Sequence, residues 1–195
     1  TNQNLPPHIK LKIEFDLNII ASWDGNGPGN EEFWKLAADG NTLLYTTFSN
    51  TGTNQSYPDN YPANYPPHTG AQEIDVLGYS YGYWGDSVYH LSLEIYHNSP
   101  SLQLSFMGIG LEGIDNESWG IDNFQISYSD IIADFSANAN SGCIPFTVSF
   151  TDNSLSCNDI SSWQWDFNND GIIDSNLQNP TWTYILPGTY TVSLT

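Results

Sequence analysis

The chain has 195 residues with 22 Asp or Glu and only 3 Lys or Arg, so its formal net charge at pH 7 is −19. A field of that sign repels phosphate backbones and anionic lipid surfaces and attracts divalent cations. Nucleic-acid binding and membrane insertion are therefore excluded, the latter also because no run of about 18 apolar residues is present. Aromatic residues make up 14% of the chain, which indicates a folded protein and not a disordered acidic tail.

The N-terminal part of the sequence predicts strands and loops. Residues 9–19 alternate apolar and polar side chains without a break, which is typical of a long half-buried strand. Residues 22–33 combine Gly and Pro with several oxygen donors and predict a loop with the capacity to bind a metal. A turn at Asp39 and Gly40 then precedes a strand that runs to Phe48.

A proline-rich segment separates these strands from the next group. Tyr-Pro pairs recur three times within residues 55–70, and proline at that frequency predicts an extended surface loop. Alternating strands follow at residues 87–99, 101–110 and 119–129, and antiparallel sheets are the natural arrangement for them. The last of these strands carries Phe124, Ile126 and Tyr128 on one face.

A new cycle of turns and strands starts near residue 130. Apolar residues alternate at 146–150, 163–167 and 190–194, with the shorter spacing of a small sandwich. We therefore divide the chain into a domain at residues 1–130 and a smaller domain at residues 131–195.

The segment DFNNDGIID has the donor spacing of a calcium loop. Oxygen ligands fall at positions one, three, five, seven and nine, with Gly171 at the sixth position where such a loop turns. These ligands are Asp166, Asn168, Asp170, the Ile172 carbonyl and Asp174. Leu177 replaces the bidentate Glu of an EF-hand, so we expect a structural calcium site within a β-domain. The alternative is an Asx-rich turn that satisfies its own carboxylates without metal.

Residues 133–195 resemble the PKD (polycystic kidney disease) domain family. The resemblance is carried by ADFSAN, PFTVSFTDNS, WQWDFNNDG and PGTYTVSLT, with Asn168 in place of the family's usual Gly after WDF. It implies an immunoglobulin-like β-sandwich that serves as a spacer or adhesive module in secreted and cell-surface proteins.

Residues 12–128 are similar to bacterial extracellular jelly-roll modules of the MAM-like or lectin-like kind, through FDLNIIASWDGNGPG, TLLYTTFSN, QSYP, GDSVYHLSLEIYH and ESWGIDNFQI. This resemblance implies a second calcium site between an early acidic loop and the last strand, formed by Asp24, Asn26, Asn30 and Asp122. The expected fold is therefore all-β, with a jelly-roll-like β-sandwich followed by a smaller immunoglobulin-like one.

Two cysteines and two sequons suggest covalent modification. Cys143 and Cys157 are the only cysteines, and a disulfide between them would close a loop of about 15 residues in an oxidising compartment. The alternative is a pair of reduced, buried thiols. Asn54 and Asn116 begin sequons that permit N-glycosylation.

Exposed aromatic residues suggest a surface that stacks on sugar rings. Five residues of the Tyr-Pro loop and the following aromatic segment are candidates: Tyr57, Tyr61, Tyr65, Tyr81 and Trp84. The alternative for each of them is a place over the hydrophobic core, because Tyr and Trp are usually largely buried.

No catalytic motif is present, since HExxH and GxSxG are absent and no pair of carboxylates stands out for glycoside hydrolysis. We predict a non-catalytic, calcium-stabilised extracellular protein, a building block of a cell-surface appendage, filament or matrix. Its partners would be other copies of itself or surface proteins. The alternative is a carbohydrate-binding module with a PKD spacer, taken from a secreted enzyme or adhesin, with glycans as partners.

Overall fold

The computed structural model describes residues 4–27, 29, 32–78, 85–114 and 116–195. All regular secondary structure within these residues is β-strand, which confirms the prediction of an all-β fold. The described residues accordingly contain no helix long and apolar enough to cross a membrane. The strands are β1 (Lys10–Ala21), β2 (Phe33–Ala38), β3 (Asn41–Thr47), β4 (Glu73–Ile74), β5 (Asp86–Tyr96), β6 (Leu104–Ile109), β7 (Glu117–Ser129), β8 (Ile131–Ile132), β9 (Phe135–Ala137), β10 (Phe146–Asp152), β11 (Leu155–Ser156), β12 (Trp165–Asp166), β13 (Thr181–Tyr184) and β14 (Ser193–Leu194).

The chain packs into two compact units. Unit 1 consists mainly of Lys12–Ile95 and Ser99–Ser127, and unit 2 consists of Pro6–Leu11, Tyr96–Asn98 and Tyr128–Thr195.

Unit 1 is built from two sheets in a sandwich-like arrangement. One sheet has the strand order β4-β5-β1-β7 and the other has the order β3-β2-β6. Strand β1 has the pattern expected of a strand in a sandwich. Every second side chain is buried between the sheets, and the side chains between them are half-buried. The buried cluster contains Ile13, Phe15, Leu17, Ile19, Trp23, Trp34, Leu36, Leu44, Phe48, Tyr89 and Leu91. Burial of each large side chain contributes about 1.5–3 kcal/mol.

Strand β2 is not predicted by the sequence pattern. It pairs with both β3 and β6, so it is the central strand of its sheet. Trp34 and Leu36 face the core, whereas Phe33 and Lys35 face away from it. The two alanines that end the strand are also buried, and this interrupts the alternation that would have identified it.

Strand β7 is an edge strand with an unusual apolar face. Phe124, Ile126 and Tyr128 are 45%, 38% and 55% exposed, although they alternate as the sequence predicts. Phe124 still contacts Phe15 and Phe106. Alternation therefore identifies the strand correctly, but it does not reveal how far the neighbouring sheet covers it.

Unit 2 has short sheets around an aromatic core. Its largest sheet has the order β13-β10-β9, and β12 pairs with β14. Val148, Phe150, Trp165, Phe167 and Tyr184 form the buried cluster. Phe150 and Trp165 lie 5.5 Å apart between ring centroids, and Phe167 stacks on Phe150 at 5.0 Å. The alternating residues of two predicted strands, 146–150 and 163–167, thus supply four of these five residues, and those of the third, 190–194, pack against the cluster partly buried.

The structure contradicts the predicted disulfide, because the thiols of Cys143 and Cys157 are both free and exposed. Cys143 precedes β10, whereas Cys157 follows β11 and donates its N–H to the Asp130 carbonyl. The chain that leads back to Asp130 pairs with the far end of β10. A strand of 7 residues spans about 23 Å, and a disulfide requires Cα atoms within about 7 Å.

Candidate metal centre

Three carboxylates converge in unit 1. One carboxylate oxygen from each of Asp24, Glu32 and Glu117 lies within 4.8 Å of the other two. This is the group of potential metal ligands found among the described residues. Asp24 follows the end of β1, Glu32 immediately precedes β2 and Glu117 begins β7. The cluster therefore joins three segments that are far apart in the sequence.

Buried hydrogen bonds hold the first and last of these segments together. The Trp23 side chain is fully buried and donates its indole N–H to the Ser118 carbonyl at 2.9 Å. The backbone N–H of Ser22 donates to the Asn116 carbonyl at 3.0 Å. Since Asp24 and Glu117 are neighbours of these residues in the chain, the bonds bring their carboxylates to the same place.

The loop after Asp24 has a conformation that requires glycine. Gly25 has a φ of +62°, and a Cβ at this position would overlap the carbonyl oxygen of Asn54. The Asp24 carbonyl accepts hydrogen bonds from the Gly27 N–H and from the Thr53 hydroxyl. The close approach of residues 53 and 54 holds the backbone of the loop directly after Asp24.

Glu32 and Glu117 are almost completely buried, at 2% and 3% exposure. Oε2 of Glu32 accepts the Asp24 N–H at 2.7 Å, and Oε2 of Glu117 accepts the Glu112 N–H at 2.8 Å. A carboxylate oxygen of each lies within 4.8 Å of an oxygen of the other. Two buried carboxylates this close repel each other unless one carries a proton or a cation binds both.

The electrostatics of the cluster favour a protonated Glu32. Burial, together with the negative charges of Glu117 and Asp24, raises the pKa of Glu32 to about 8 against the opposing Asp24 N–H. Burial likewise raises the pKa of Glu117. The site therefore resists ionisation unless a cation compensates the charge.

The donor set fits a hard divalent cation. All three ligating groups are carboxylates, with no nitrogen or sulfur ligand among them, and calcium and magnesium prefer such oxygen ligands. Asp24 is only partly buried, so a cation can reach the site from its side.

The structure brings together only part of the predicted second site. Asp24 belongs to the cluster, but the Asn26 side-chain oxygen accepts hydrogen bonds from Thr47 and Ser56. Asp122 is exposed and accepts the Asn123 N–H. Asn30 lies outside the described residues.

Glu117 is the site residue that the sequence does not indicate. Glu32 is one of the oxygen donors of the acidic loop at residues 22–33, although it is not among the four ligands predicted for the second site. Glu117 lies five positions before Asp122 on an extended strand, and the sequence alone does not indicate which of the two carboxylates reaches the loop.

The predicted calcium loop of unit 2 has a different arrangement. The buried carboxylate of Asp166 accepts backbone N–H groups of four residues: Asn168, Asn169, Asp170 and Gly171. Burial opposes ionisation of Asp166, but these four donors outweigh it and lower the pKa of the carboxyl. Asp174 accepts the Phe167 N–H at 2.8 Å.

The other ligands predicted for this loop also form hydrogen bonds within it. The Asn168 side chain donates to Asp170 at 3.0 Å and accepts the Asp170 N–H at 3.1 Å. Ile172 donates its N–H to Asp170, and its side chain is exposed. These bonds are those of an Asx-rich turn, the alternative to a calcium loop. Oδ2 of Asp166 and Oδ2 of Asp174 each accept only one of these N–H groups, so each retains a lone pair that can bind a cation.

The tyrosines that were predicted to bind sugars have different environments. Tyr57 packs on Phe48 and Tyr89 in the core, and burial raises the pKa of its hydroxyl. The Tyr65 hydroxyl donates to Asp59. Tyr61 is 38% exposed. Tyr81 and Trp84 lie outside the described residues.

The two sequon asparagines also differ. Asn54 is exposed, so its side chain is accessible to modification. Asn116 is partly buried, accepts a hydrogen bond from the Ser22 hydroxyl at 2.5 Å and donates to Glu112. A glycan on Asn116 would require these bonds to break.

Residues 130–195 match the family model of the PKD domain. This match covers about the last third of the chain and confirms the resemblance predicted for residues 133–195. PKD domains are non-catalytic β-sandwich modules that occur in extracellular proteins. No curated protein and no solved structure matches the chain. The jelly-roll resemblance of residues 12–128 stays a prediction.

Proposed function

We propose that the chain is a non-catalytic structural or adhesive module of an extracellular assembly, and that bound calcium stabilises it. The proposal combines the PKD match of residues 130–195 with the metal centre of unit 1. It treats residues 1–130 and 131–195 as two domains of one building block.

The observation that carries the calcium part of the proposal is the convergence of buried Glu32 and Glu117 with Asp24. A buried carboxyl that must stay protonated at neutral pH weakens the folded state, because the unfolded chain ionises freely. A divalent cation removes this cost by replacing that proton and binding all three carboxylates. The strong negative charge of the whole chain favours the same exchange.

The position of the centre explains how a cation would strengthen unit 1. The three carboxylates come from segments that begin or end β1, β2 and β7, and these strands belong to both sheets. A cation held by all three would cross-link the sheets at this end of the sandwich. The cation would therefore have a structural role and take part in no reaction.

We assign a second calcium to the loop from Asp166 to Asp174. Its support is the spacing of Asp166, Asn168, Asp170, the Ile172 carbonyl and Asp174, together with the lone pairs that these oxygens retain. Binding would exchange the Asn168–Asp170 hydrogen bond for metal contacts. This site is more exposed than the centre in unit 1, so we expect it to bind calcium more weakly.

Assembly with other copies or with surface proteins is the third part of the proposal. Its support is the family match and a surface that has few charged side chains, which are the costliest groups to desolvate in an interface. Electron microscopy of the purified protein at several calcium concentrations tests it. Ordered polymers or oligomers are expected, and monomers under all conditions would contradict it.

Thermal melting with calcium or EDTA tests the metal centre. We expect calcium to raise the Tm of the wild-type protein, and Glu32→Gln to abolish most of that increase because a neutral amide is a poor ligand. Glu73→Gln, on the exposed strand β4, removes the same charge away from the site and serves as the matched control. An equal calcium response in all three proteins would refute the centre.

A further inference from the structure

The outer face of the sheet β3-β2-β6 carries a group of aromatic and apolar side chains. Phe33 and Tyr45 stack with ring centroids 4.7 Å apart and an angle of 11° between their planes. Tyr61 stands perpendicular to Phe33, at 89° and 5.1 Å. We call these three residues the aromatic corner. Its rings present apolar faces in two perpendicular orientations on the side of the sheet that faces away from the core.

The apolar surface continues across the sheet from the aromatic corner. Strand register places Met107 directly beside Lys35 and Ile109 beside Phe33. Met107 and Ile109 are 36% and 40% exposed, as expected for residues on the outer face. The corner is therefore one end of a shallow apolar surface and not an isolated group of rings.

Lys35 lies in the middle of this surface, between Tyr45 on one side and Met107 on the other. The chain has only three basic residues, and the other two have partners: Lys12 pairs with Glu14 at 2.7 Å, and Lys10 lies over the Tyr96 ring. Within the described residues, no carboxylate oxygen lies within 4.0 Å of the Lys35 ammonium. Although the chain has 22 acidic residues, none of those that the structure describes pairs with Lys35.

We propose that this face binds a saccharide that carries a carboxylate, with the sugar ring in the aromatic corner and the carboxylate on Lys35. Aromatic faces pack well against the C–H faces of sugars, and an ammonium provides three donors for a carboxylate or hydroxyl. The hydroxyl of Tyr45 is a further hydrogen-bond donor at neutral pH, as that of any tyrosine is.

Size and charge favour a sugar over a second protein. A stable protein interface buries about 800 Å² on each partner, which five partly exposed apolar side chains do not supply. The negative charge of the rest of the chain is screened beyond about 8 Å at physiological ionic strength. Lys35 is the basic residue on this face, so it is the group that a bound carboxylate would pair with. The proposal goes beyond the calcium-stabilised module and does not depend on its metal centre.

The test starts with an array of neutral and carboxylated glycans, followed by calorimetry with trigalacturonic acid and its neutral counterpart galactotriose. Carboxylated glycans are expected to bind, and the charged trisaccharide to bind roughly tenfold more tightly than the neutral one. Lys35→Gln should abolish that difference, and Tyr61→Ala should weaken the binding of both trisaccharides. Lys12→Gln and Tyr96→Ala, which change the same residue types elsewhere, should have no effect.

Several results would overturn the proposal. They are the absence of binding to every carboxylated glycan, equal affinity for the two trisaccharides, and affinities that Lys35→Gln leaves unchanged. Binding that disappears in EDTA would assign the carboxylate to a bound metal instead of Lys35. Sedimentation of the unliganded protein tests the other occupant, since dissociation of a dimer by Tyr61→Ala would assign the surface to a second copy. Circular dichroism of each variant establishes that it is folded.

Discussion

The charge state of Glu32 leads to a pH dependence of stability. Its pKa is about 8 in the folded protein and about 4.5 in the unfolded chain. Between these values the unfolded chain has lost the proton that the folded protein keeps. The metal-free protein is therefore expected to retain the full contribution of Glu32 below pH 4.5 and to lose it as the pH rises towards 8.

Urea unfolding in EDTA at several pH values measures this loss, which is at most about 1.4 kcal/mol per pH unit for one group. Glu32→Gln should flatten the slope between pH 5 and 8 and leave the acid limb below pH 4 unchanged. An identical slope in the variant would show that Glu32 is not the titrating group.

Two buried tryptophans allow a buried indole N–H with a partner to be compared with one that lacks a partner. Trp23 and Trp34 are both fully buried, but the indole N–H of Trp23 donates to Ser118, whereas that of Trp34 has no partner among the described residues. A buried donor without a partner costs about 1–3 kcal/mol. Replacement by Phe removes this cost only at Trp34.

We therefore expect Trp34→Phe to reduce the free energy of unfolding by about 1–3 kcal/mol less than Trp23→Phe does. Chemical denaturation of both variants gives the two values directly. Equal losses, or a larger loss for Trp34→Phe, would indicate that the Trp34 N–H has a partner such as a buried water.

At the level of the single residue, the sequence identifies possible oxygen ligands but not which of them come together in the fold. The acidic loop at residues 22–33 was predicted to have metal-binding capacity, and Asp24 and Glu32 both belong to it. Glu117 could not be chosen over Asp122, because the choice depends on which end of β7 meets the loop. The hydrogen bonds of Ser22 and Trp23 to residues 116 and 118 decide this, and they are contacts between residues about 95 positions apart.

At the level of the element, the loop after β12 depends on one carboxylate. Asp166 accepts backbone N–H groups of four successive residues, whereas the exposed Asp159 has no comparable arrangement in the structure. Asp166→Ala is expected to lower the Tm in EDTA, because the four N–H groups lose their acceptor. Asp159→Ala should change it little. Equal effects of the two substitutions would contradict this account of the loop.

The positions of the cysteines also lead to a prediction about an element. Because β10 separates Cys143 from Cys157, both thiols should remain free. Alkylation of the protein under denaturing, non-reducing conditions, followed by intact mass spectrometry, should add two labels. A mass with no added label would indicate a disulfide and would require this part of unit 2 to be rearranged.

The sequence locates strands that have one buried face. It does not locate a strand, or the exposure of its side chains, where these depend on neighbouring strands. Strands β1, β5 and β10 have the alternation of a half-buried strand, and the sequence locates all three. Strand β2 ends in two buried alanines and is stabilised by partners on both sides, so its own pattern is weak. The exposure of Phe124 and Ile126 depends on the extent of the opposite sheet, which strand periodicity does not encode.

At the level of the whole molecule, the net charge of −19 makes the type of cation important. Any salt screens the repulsion between the acidic residues, but only a cation bound at the centre displaces the proton of Glu32. Calcium chloride is therefore expected to raise the Tm more than sodium chloride of equal ionic strength. Equal increases would assign the effect to screening alone.

Calorimetric titration of the metal-free protein with calcium at pH 7, in two buffers of different ionisation enthalpy, tests the central claim most directly. The raised pKa of Glu32 predicts saturable binding with a heat that depends on the buffer, because calcium displaces the proton of Glu32. Glu32→Gln should remove this component. The absence of binding heat, or binding without proton release that is equal in Glu32→Gln, would contradict the account of this site.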